Sequence, residues 1–314
     1  MNHLLMKKIP LIAKDISEMK VSVVVVNYNA GDFLRRCVES CLQQASQVIL
    51  VDNASVDGSL QAVLDEFSSV TKLQIIRNAD NLGFAAACNC GANVATGDFV
   101  LFLNPDCMAM DGAVQRLAQV LNADPKAGMA GGLLLNPDGK EQAGGRRAIP
   151  TPWRCLVRVF HLSIFEHRWP RLFTDFNLHK RPLPNVPIEI EAISGGCTMV
   201  KRAAMDSVGP WDEGYFLHCE DLDLCMRYRM DLWAILFVPE ASFVHYRGAC
   251  SRARPVFIEW QKHKGMLRFY NKFFRRQYPW GLMWLVAFGV ALRFCVILIY
   301  IKARLLFCAF APRH

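Results

Sequence analysis

The run Val21-Ser22-Val23-Val24-Val25-Val26 constrains the fold more than any other stretch of the chain. It does not alternate between apolar and polar residues, so both of its faces must be covered, as in the central strand of a parallel sheet. Asn27-Tyr28-Asn29-Ala30-Gly31 turns the chain, and Phe33, Leu34, Cys37, Val38, Cys41 and Leu42 then form one stripe of a helix predicted over 32–44. Val48-Ile49-Leu50-Val51 predicts a second strand ending at Asp52-Asn53, a helix follows over 59–67, and Leu73-Gln74-Ile75-Ile76 predicts a third strand. Strands alternating with short helices imply βαβ units with right-handed crossovers. The expected fold is therefore α/β, a mainly parallel central sheet flanked by helices.

Two further stretches belong to this half. Residues 85–95 predict a helix of almost wholly small residues, whose smooth surface permits close packing and whose N-terminal end would suit an anionic ligand. Gly97 to Asp106 reads as a buried strand that runs out of apolar residues and delivers Asn104 and Asp106 into a loop stiffened by Pro105. Ligands of open α/β sheets bind beyond such strand ends. A carboxylate held there suits a hard cation, although Asn-Pro-Asp is equally ordinary turn chemistry. A helix over 111–122 and a Gly-rich strand over 129–135 follow.

With 314 residues and 53% hydrophobic content, the chain can bury one large domain plus an appendage, and general disorder is excluded. A mean hydropathy of +0.17 beside 20% charged residues implies that some apolar surface faces something other than water. The net charge of +8 favours anionic partners such as nucleotide diphosphates, lipid-linked phosphates or a membrane surface. No basic-aromatic binding module is present, so nucleic acid is not expected. Twelve cysteines, several inside predicted core elements and none in a Cys-x-x-Cys pair, are read as reduced cytosolic thiols without a structural zinc. Residues 1–20 lack the features of a secretory signal.

Periodicity fades from Glu141 to Pro187, where arginines including Arg146, Arg147, Arg154 and Arg158 interleave with aromatic residues. The segment reads either as a solvated basic face or as a mobile acceptor-side element facing anionic lipid. Residues 188–201 resume strand character around Gly195-Gly196, a break that suggests close backbone approach. Glu220, Asp221 and Asp223 then open a helix, and helix capping needs one acid rather than three. Trp233 to Val238 predicts another strand, with His245 in the loop beyond. Trp280 to Ile301 is apolar over roughly the length of a bilayer, with Arg293 at its middle and basic flanks on both sides. An internal Arg costs about 3 kcal/mol on insertion scales, against about half a kcal/mol gained per Leu, Ile, Phe or Val. That sum favours insertion without deciding it, and basic flanks on both sides give no orientation, so an interfacial or re-entrant segment fits at least as well as a span, with a buried core helix as the alternative.

In this order the pieces resemble inverting glycosyltransferases of family 2, in particular the rhamnosyltransferase-like branch. The residues that carry the resemblance are Val23 to Asn29, Val51 to Ser59, Asn81 to Ala85, Leu103 to Asp106, Trp211 to Glu213, Glu220 to Leu224, and His245 with Gly248 and Ser251. The resemblance implies a GT-A fold, a divalent cation (Mg2+ or Mn2+) and a dTDP- or UDP-linked sugar donor. Asp52 and Asn53 with Asn27, Asn29, Asn81, Gly83 and Asn104 would border the nucleotide-sugar. Asp106 and His245 would hold the metal, and Asp221, beside Glu220, would be the general base. Asn104 stands where the family's metal motif usually begins with Asp, so the corner has one charge fewer.

The implied layout is a polar lead-in (1–20), a transferase domain (21–255, with a nucleotide-sugar half to 135 and an acceptor half from 136), and a membrane-associated segment (256–314). The expected activity is transfer of rhamnose or a similar hexose to a hydroxyl of a lipid-linked or cell-surface glycan, at the cytoplasmic face of the inner membrane. Two rival readings exist. A sugar nucleotidyltransferase would need a Gly-rich basic triphosphate loop, which Asn27 to Gly31 does not offer; a degenerate transferase serving as an assembly partner would not need both Asp106 and Asp221.

Overall fold

The structure, a computed structural model, describes residues 18–248 and 254–310, with side chains as far as 304. Ser251 and most of the lead-in lie outside the described residues. The first half reads β1 (Val21–Asn27), α1 (Asp32–Leu42), β2 (Gln47–Asp52), α2 (Ser59–Phe67), β3 (Leu73–Arg77), α3 (Phe84–Val94), β4 (Phe99–Leu103), β5 (Cys107–Ala109), α4 (Ala113–Ala123) and β6 (Ala127–Leu135). After it come β7 (Arg146–Arg147), α5 (Pro152–Val159), a 3-10 turn at Leu162–Phe165, α6 (Pro170–Phe173), β8 (Ile188–Glu189), β9 (Ala192–Ile193) and β10 (Cys197–Lys201). The chain continues through α7 (Arg202–Val208), α8 (Glu220–Met230), β11 (Ala234–His245), α9 (Pro255–Phe273) and α10 (Trp280–Phe310).

Nine strands form one sheet in the order β3-β2-β1-β4-β10-β6-β11-β5, with β8 paired on β11. β1, β2, β3, β4, β6 and β11 share one direction, while β5, β8 and β10 oppose it. The first strand is covered on both sides, as its composition requires. Val24 and Val26 join Phe102 and the small residues of α3 on one face, whereas Val21, Val23 and Val25 meet Leu34 and Val38 of α1 and Leu117 of α4 on the other. The smooth surface of α3 lets it lie directly on the sheet: a Cβ at Gly91 would sit 2.4 Å from Val24 Cγ1 and 3.2 Å from Val51 Cγ2.

Two expectations need correction. The strand after Trp233 does not stop at Val238; it continues for twelve residues to His245, which pairs with Cys107. Pro239 and Glu240 sit where the register to β6 shifts between Val238 and Ser242, and a break of this kind hides a long strand from a periodicity argument. Nor do Arg146, Arg147, Arg154 and Arg158 belong to a solvated face, although Arg168 and Arg171 are exposed. Arg146 pairs with Glu141 at 2.7 Å, Arg147 with Asp221 at 2.5 Å, Arg154 with Glu191 at 2.5 Å and Arg158 with Asp175 at 2.9 Å.

α9 is part of the same body. Phe269, Tyr270 and Phe273 are buried in the core that holds Trp211 and Leu224, and Lys272 reaches Asp212 and Asp223, each at 2.6 Å. α10 is long and apolar enough to cross a membrane by length and composition, with a mean hydropathy of 2.5. The ten cysteines whose side chains are described are free thiols.

Replacing Gly91 by Ala tests the α3 contact. The added methyl has no room against Val24, and overpacking of this kind typically costs about 1–3 kcal/mol. Gly91→Ala is expected to lower the melting temperature in calorimetry, and Ala92→Gly on the same helix to do so less.

Candidate active site

The residues singled out in the sequence gather at one edge of the sheet. Asn27, Asp52 and Asn104 stand at the carboxyl ends of β1, β2 and β4, and His245 is the last residue of β11. β10 runs the other way, so its amino end, with Gly195-Gly196 just before it, arrives at the same edge. The chain leaves β1 toward β2 on one side and returns to β4 on the other, the switch point at which open α/β sheets bind ligands.

At the ends of β1 and β2, Asn27 is fully buried and its Nδ2 donates to Asp52 Oδ1 (2.8 Å), Ser55 Oγ (2.9 Å) and Ser59 Oγ (2.9 Å). Asn29 takes the left-handed conformation at φ 53, which Asn tolerates, and its Oδ1 accepts from Val56 N at 2.8 Å. Asp57 ties this turn to α2 by accepting from Gly31 N (2.7 Å) and from Ser59 N (3.1 Å). A depression of about 360 Å3 lined by Asn29, Gly31, Arg36 and Asp57 opens beside them. Asn53, Asn81 and Gly83 do different work. Asn53 Nδ2 donates to Asn81 Oδ1 (3.3 Å) and to Gly83 O (3.2 Å), while Asn53 Oδ1 accepts from Asn78 Nδ2 (2.7 Å), so this side chain fixes the loop before α3. Gly83 has φ 86, and a Cβ there would fall 2.6 Å from Phe216 O. The loop that precedes α8 therefore sits on Gly83.

At the centre, His245 Nε2 lies 3.2 Å from Asp106 Oδ1 and 3.4 Å from Asn104 Nδ2. The opposite ring nitrogen, Nδ1, lies 2.7 Å from Gln142 Oε1. Gln142 Nε2 donates to the carbonyl oxygen of His245 (3.1 Å) and to Asn136 Oδ1 (2.9 Å), so Gln142 Oε1 is left as an acceptor and the His245 proton belongs on Nδ1. The Nε2 lone pair then faces the Asp106 carboxylate, two acceptor atoms side by side. Adjacent corners of an octahedron with ~2.1 Å bonds are about 3 Å apart, so the pair fits one Mg2+ or Mn2+. Among the described residues no group of three or more His, Cys, Asp or Glu side chains surrounds a common point, so phosphate oxygens and water would fill the other corners.

Asp221 stands next to this corner. Its Oδ2 accepts from Arg147 Nη2 (2.5 Å) and from Gly195 N (3.0 Å), and Oδ1 accepts from Leu222 N (2.8 Å). Burial works against its charge, but Arg147 and the two amides outweigh it and hold the carboxyl below the usual range. A Cβ on Gly196 would lie 3.3 Å from His245 Cε1 and 3.5 Å from Asn104 Nδ2. Two consecutive glycines thus touch Asp221 and the metal corner. Glu220 is the reverse of Asp221: burial first, and the neighbouring Asp221 charge second, push its carboxyl well above the ordinary range, and its buried Oε2 has no hydrogen-bond partner.

The third acid of the cluster serves the fold. Asp223 is fully buried and paired with Arg227 at 2.7 Å and Lys272 at 2.6 Å. Asp212 is equally structural: burial opposes its charge, but Lys272 and Arg268 of α9 outweigh it and bring its carboxyl down to about 2. Sequence reasoning missed Arg147 and Gln142 as site residues. Arg147 sat unmarked in a row of arginines, and a lone Gln carries no pattern.

Gln142 gives a test independent of turnover. With the Nδ1 partner gone in Gln142→Leu, Mn2+ affinity measured by calorimetry in the presence of UDP is expected to fall about 10- to 100-fold. Gln142→Glu, which keeps an acceptor, should retain most of it.

Comparison with known proteins identifies the family and the fold. The model of glycosyl transferase family 2 covers residues 22–209. The chain is 27% identical over 287 residues to N-acetylglucosaminyl-diphospho-decaprenol L-rhamnosyltransferase of Mycobacterium tuberculosis, covering 86% of this chain and 90% of that one. Two solved structures share the fold. One is a mannosyltransferase from Pyrobaculum calidifontis in complex with GDP-Man and Mn2+ (TM-score 0.55, 16% identity, 98% of this chain and 80% of that one). The other is GalNAc-T7 with UDP, GalNAc and Mn2+ (TM-score 0.54, 20% identity, 72% of this chain and 43% of that one). The sheet is that of the GT-A fold, the family match spans more than half of the sequence, and the chain belongs to glycosyl transferase family 2, in its rhamnosyltransferase-like branch.

Proposed function

We propose that this glycosyltransferase inverts the anomeric centre of a dTDP- or UDP-linked rhamnose or similar hexose and transfers it to a hydroxyl of a lipid-linked glycan precursor at the cytoplasmic face of the plasma membrane. The observation that carries the reading is the Gly195-Gly196 junction, whose first glycine bonds the Asp221 carboxylate and whose second packs against His245 and Asn104. A single displacement requires that juxtaposition. The rhamnosyl and lipid-linked parts rest on the similarity to the mycobacterial enzyme, and the divalent cation on the Mn2+ in the two solved relatives.

In the mechanism Asp52, Asn27 and Asn29 bound the nucleotide, and the depression beside Asn29 and Arg36 leaves room for it. Asp106 and His245 would hold Mg2+ or Mn2+, which supplies charge neutralisation for the departing diphosphate. Asp221 takes the proton of the acceptor hydroxyl as its oxygen bonds to the anomeric carbon. The bond to the diphosphate oxygen breaks with its electron pair leaving on the diphosphate, so configuration inverts. Arg147 and the Gly195 amide hold Asp221 in place and ionised. Glu220, whose carboxyl burial and the Asp221 charge hold above the ordinary range, lies beside it.

The governing experiment incubates the purified protein with Mg2+ or Mn2+ and a panel of nucleotide sugars with a polyprenyl-diphosphate-linked amino sugar acceptor, following nucleotide diphosphate release. Metal-dependent release with a dTDP- or UDP-linked hexose is expected; release with no donor would overturn the reading. Asp221→Asn should lower transfer by about 10² to 10⁴ while nucleotide binding persists.

Arg147→Leu predicts a pH effect of definite sign. The base is lost when pH falls through the Asp221 pKa, and Arg147 holds that pKa low. Without the guanidinium the pKa rises, so the acid limb of kcat/KM moves to higher pH. An unmoved limb would remove Asp221 or Arg147 from this role.

A further inference from the structure

α10 is apolar on both sides, and the two sides meet different surroundings. Met283 and Val290 are buried, and Phe294 stacks edge-on with Trp260 and His263 of α9 at 5.5 and 5.2 Å between ring centroids. Arg293, the charge in the middle of the apolar run, is not left to lipid: its Nη1 lies 2.9 Å from His263 Nε2. Over Met283 to Phe294, α10 therefore lies antiparallel along α9. α9 is itself fixed to the catalytic domain through Phe269, Tyr270, Lys272 and Arg268. It also carries Glu259, Lys262 and Lys264 along the part that α10 covers.

A bilayer crossing by α10 would drag this charged helix and the edge of the catalytic domain into hydrocarbon, where each ionised side chain is expensive. Yet the opposite face of α10 is far too apolar for water. Trp284, Leu285, Phe288, Leu292 and Val296 are between 53% and 68% exposed, at spacings that place them on one side of the helix, away from Met283 and Val290. Arg275 and Arg276 precede the run, and Lys302 and Arg304 follow it. An outward apolar face between basic ends suits a helix lying in the plane of an anionic leaflet.

The chain shows a second exposed apolar segment. α5 is tied to α9 through Cys155 Sγ, 2.9 Å from Tyr270 Oη, and the stretch it begins shows Phe160, Ile164 and Trp169 at 50–68% exposure beside exposed Arg168 and Arg171. This stretch starts five residues after Arg147, which holds Asp221.

We propose that the protein is monotopic: α10 lies flat in one anionic leaflet on its Trp284, Phe288 and Leu292 face, the α5–α6 aromatics dip into the same leaflet, and no segment of α10 crosses. The inference rests on the membrane part of the proposed function and adds its mode. A lipid-borne acceptor then reaches Asp221 by lateral diffusion within that leaflet.

The test uses the full chain. Fusions at the C-terminus to green fluorescent protein and to alkaline phosphatase, expressed in a Gram-negative host, should give fluorescence and no phosphatase activity, because both termini stay in the cytoplasm. Phosphatase activity would mean a crossing and would overturn the proposal. In flotation with phosphatidylethanolamine–phosphatidylglycerol vesicles, the purified protein should float, and Phe288→Glu with Leu292→Glu should reduce the floated fraction at least tenfold without changing donor hydrolysis. If that variant does not fold, Arg168→Glu with Arg171→Glu, on exposed side chains, should still weaken flotation on anionic but not on neutral vesicles. A stable dimer that ignores vesicles would show the face to be a protein interface and would also overturn the proposal. Donor hydrolysis is read separately, so failure of lipid binding leaves the transferase assignment standing.

Discussion

One reversed strand organises the active edge. β10 lies between β4 and β6 and opposes both, so the residues before it emerge where its neighbours end. Were it parallel, Gly195-Gly196 would lie at the far edge of the sheet, and Asp221 would lose the amide that holds it at 3.0 Å. The nucleotide side needs no such device. Its residues follow directly from parallel strands ending in sequence beside one another, as Asn27, Asp52 and Asn104 do.

That difference explains how much was legible in the sequence. β1, β2 and β4 declared themselves because a strand covered on both faces is a continuous apolar run, and the polar residue that ends each run is the site residue. The helices over 32–42 and 59–67 were equally plain from their stripes and loops. His245 was recognised through family resemblance but placed in a loop, since Pro239 interrupts the pattern that would have shown its strand continuing. Arg147 was out of reach: its partner Asp221 is 74 residues away, and the strand that carries it has two residues. No local periodicity encodes a contact of that kind.

The acidic cluster shows the limit of reading charge by type. Glu220, Asp221 and Asp223 look alike in sequence, yet the helix turns them into three surroundings. One is buried and unpartnered, one is held by a guanidinium and two amides, and one is locked between Arg227 and Lys272. Desolvation and pairing, not composition, separate Asp221 from its neighbours. The same holds for Arg146, Arg147, Arg154 and Arg158, which a composition count assigns to the surface and the structure assigns to specific carboxylates.

The turn entering α8 carries a wider consequence. His218 and Cys219 both take left-handed backbone, at φ 70 and 71, a strained pair that persists only where its surroundings enforce it. Gly83 admits Phe216 O from one side, and Gly265 of α9 admits His218 O from the other, each where a Cβ would come within 2.6 Å. The start of the helix that bears Asp221 is thus clamped between the donor loop and the C-terminal hairpin. A chain trimmed to remove α10 has to be cut after Phe274; a cut before Pro255 would release one jaw of that clamp and with it the position of Asp221.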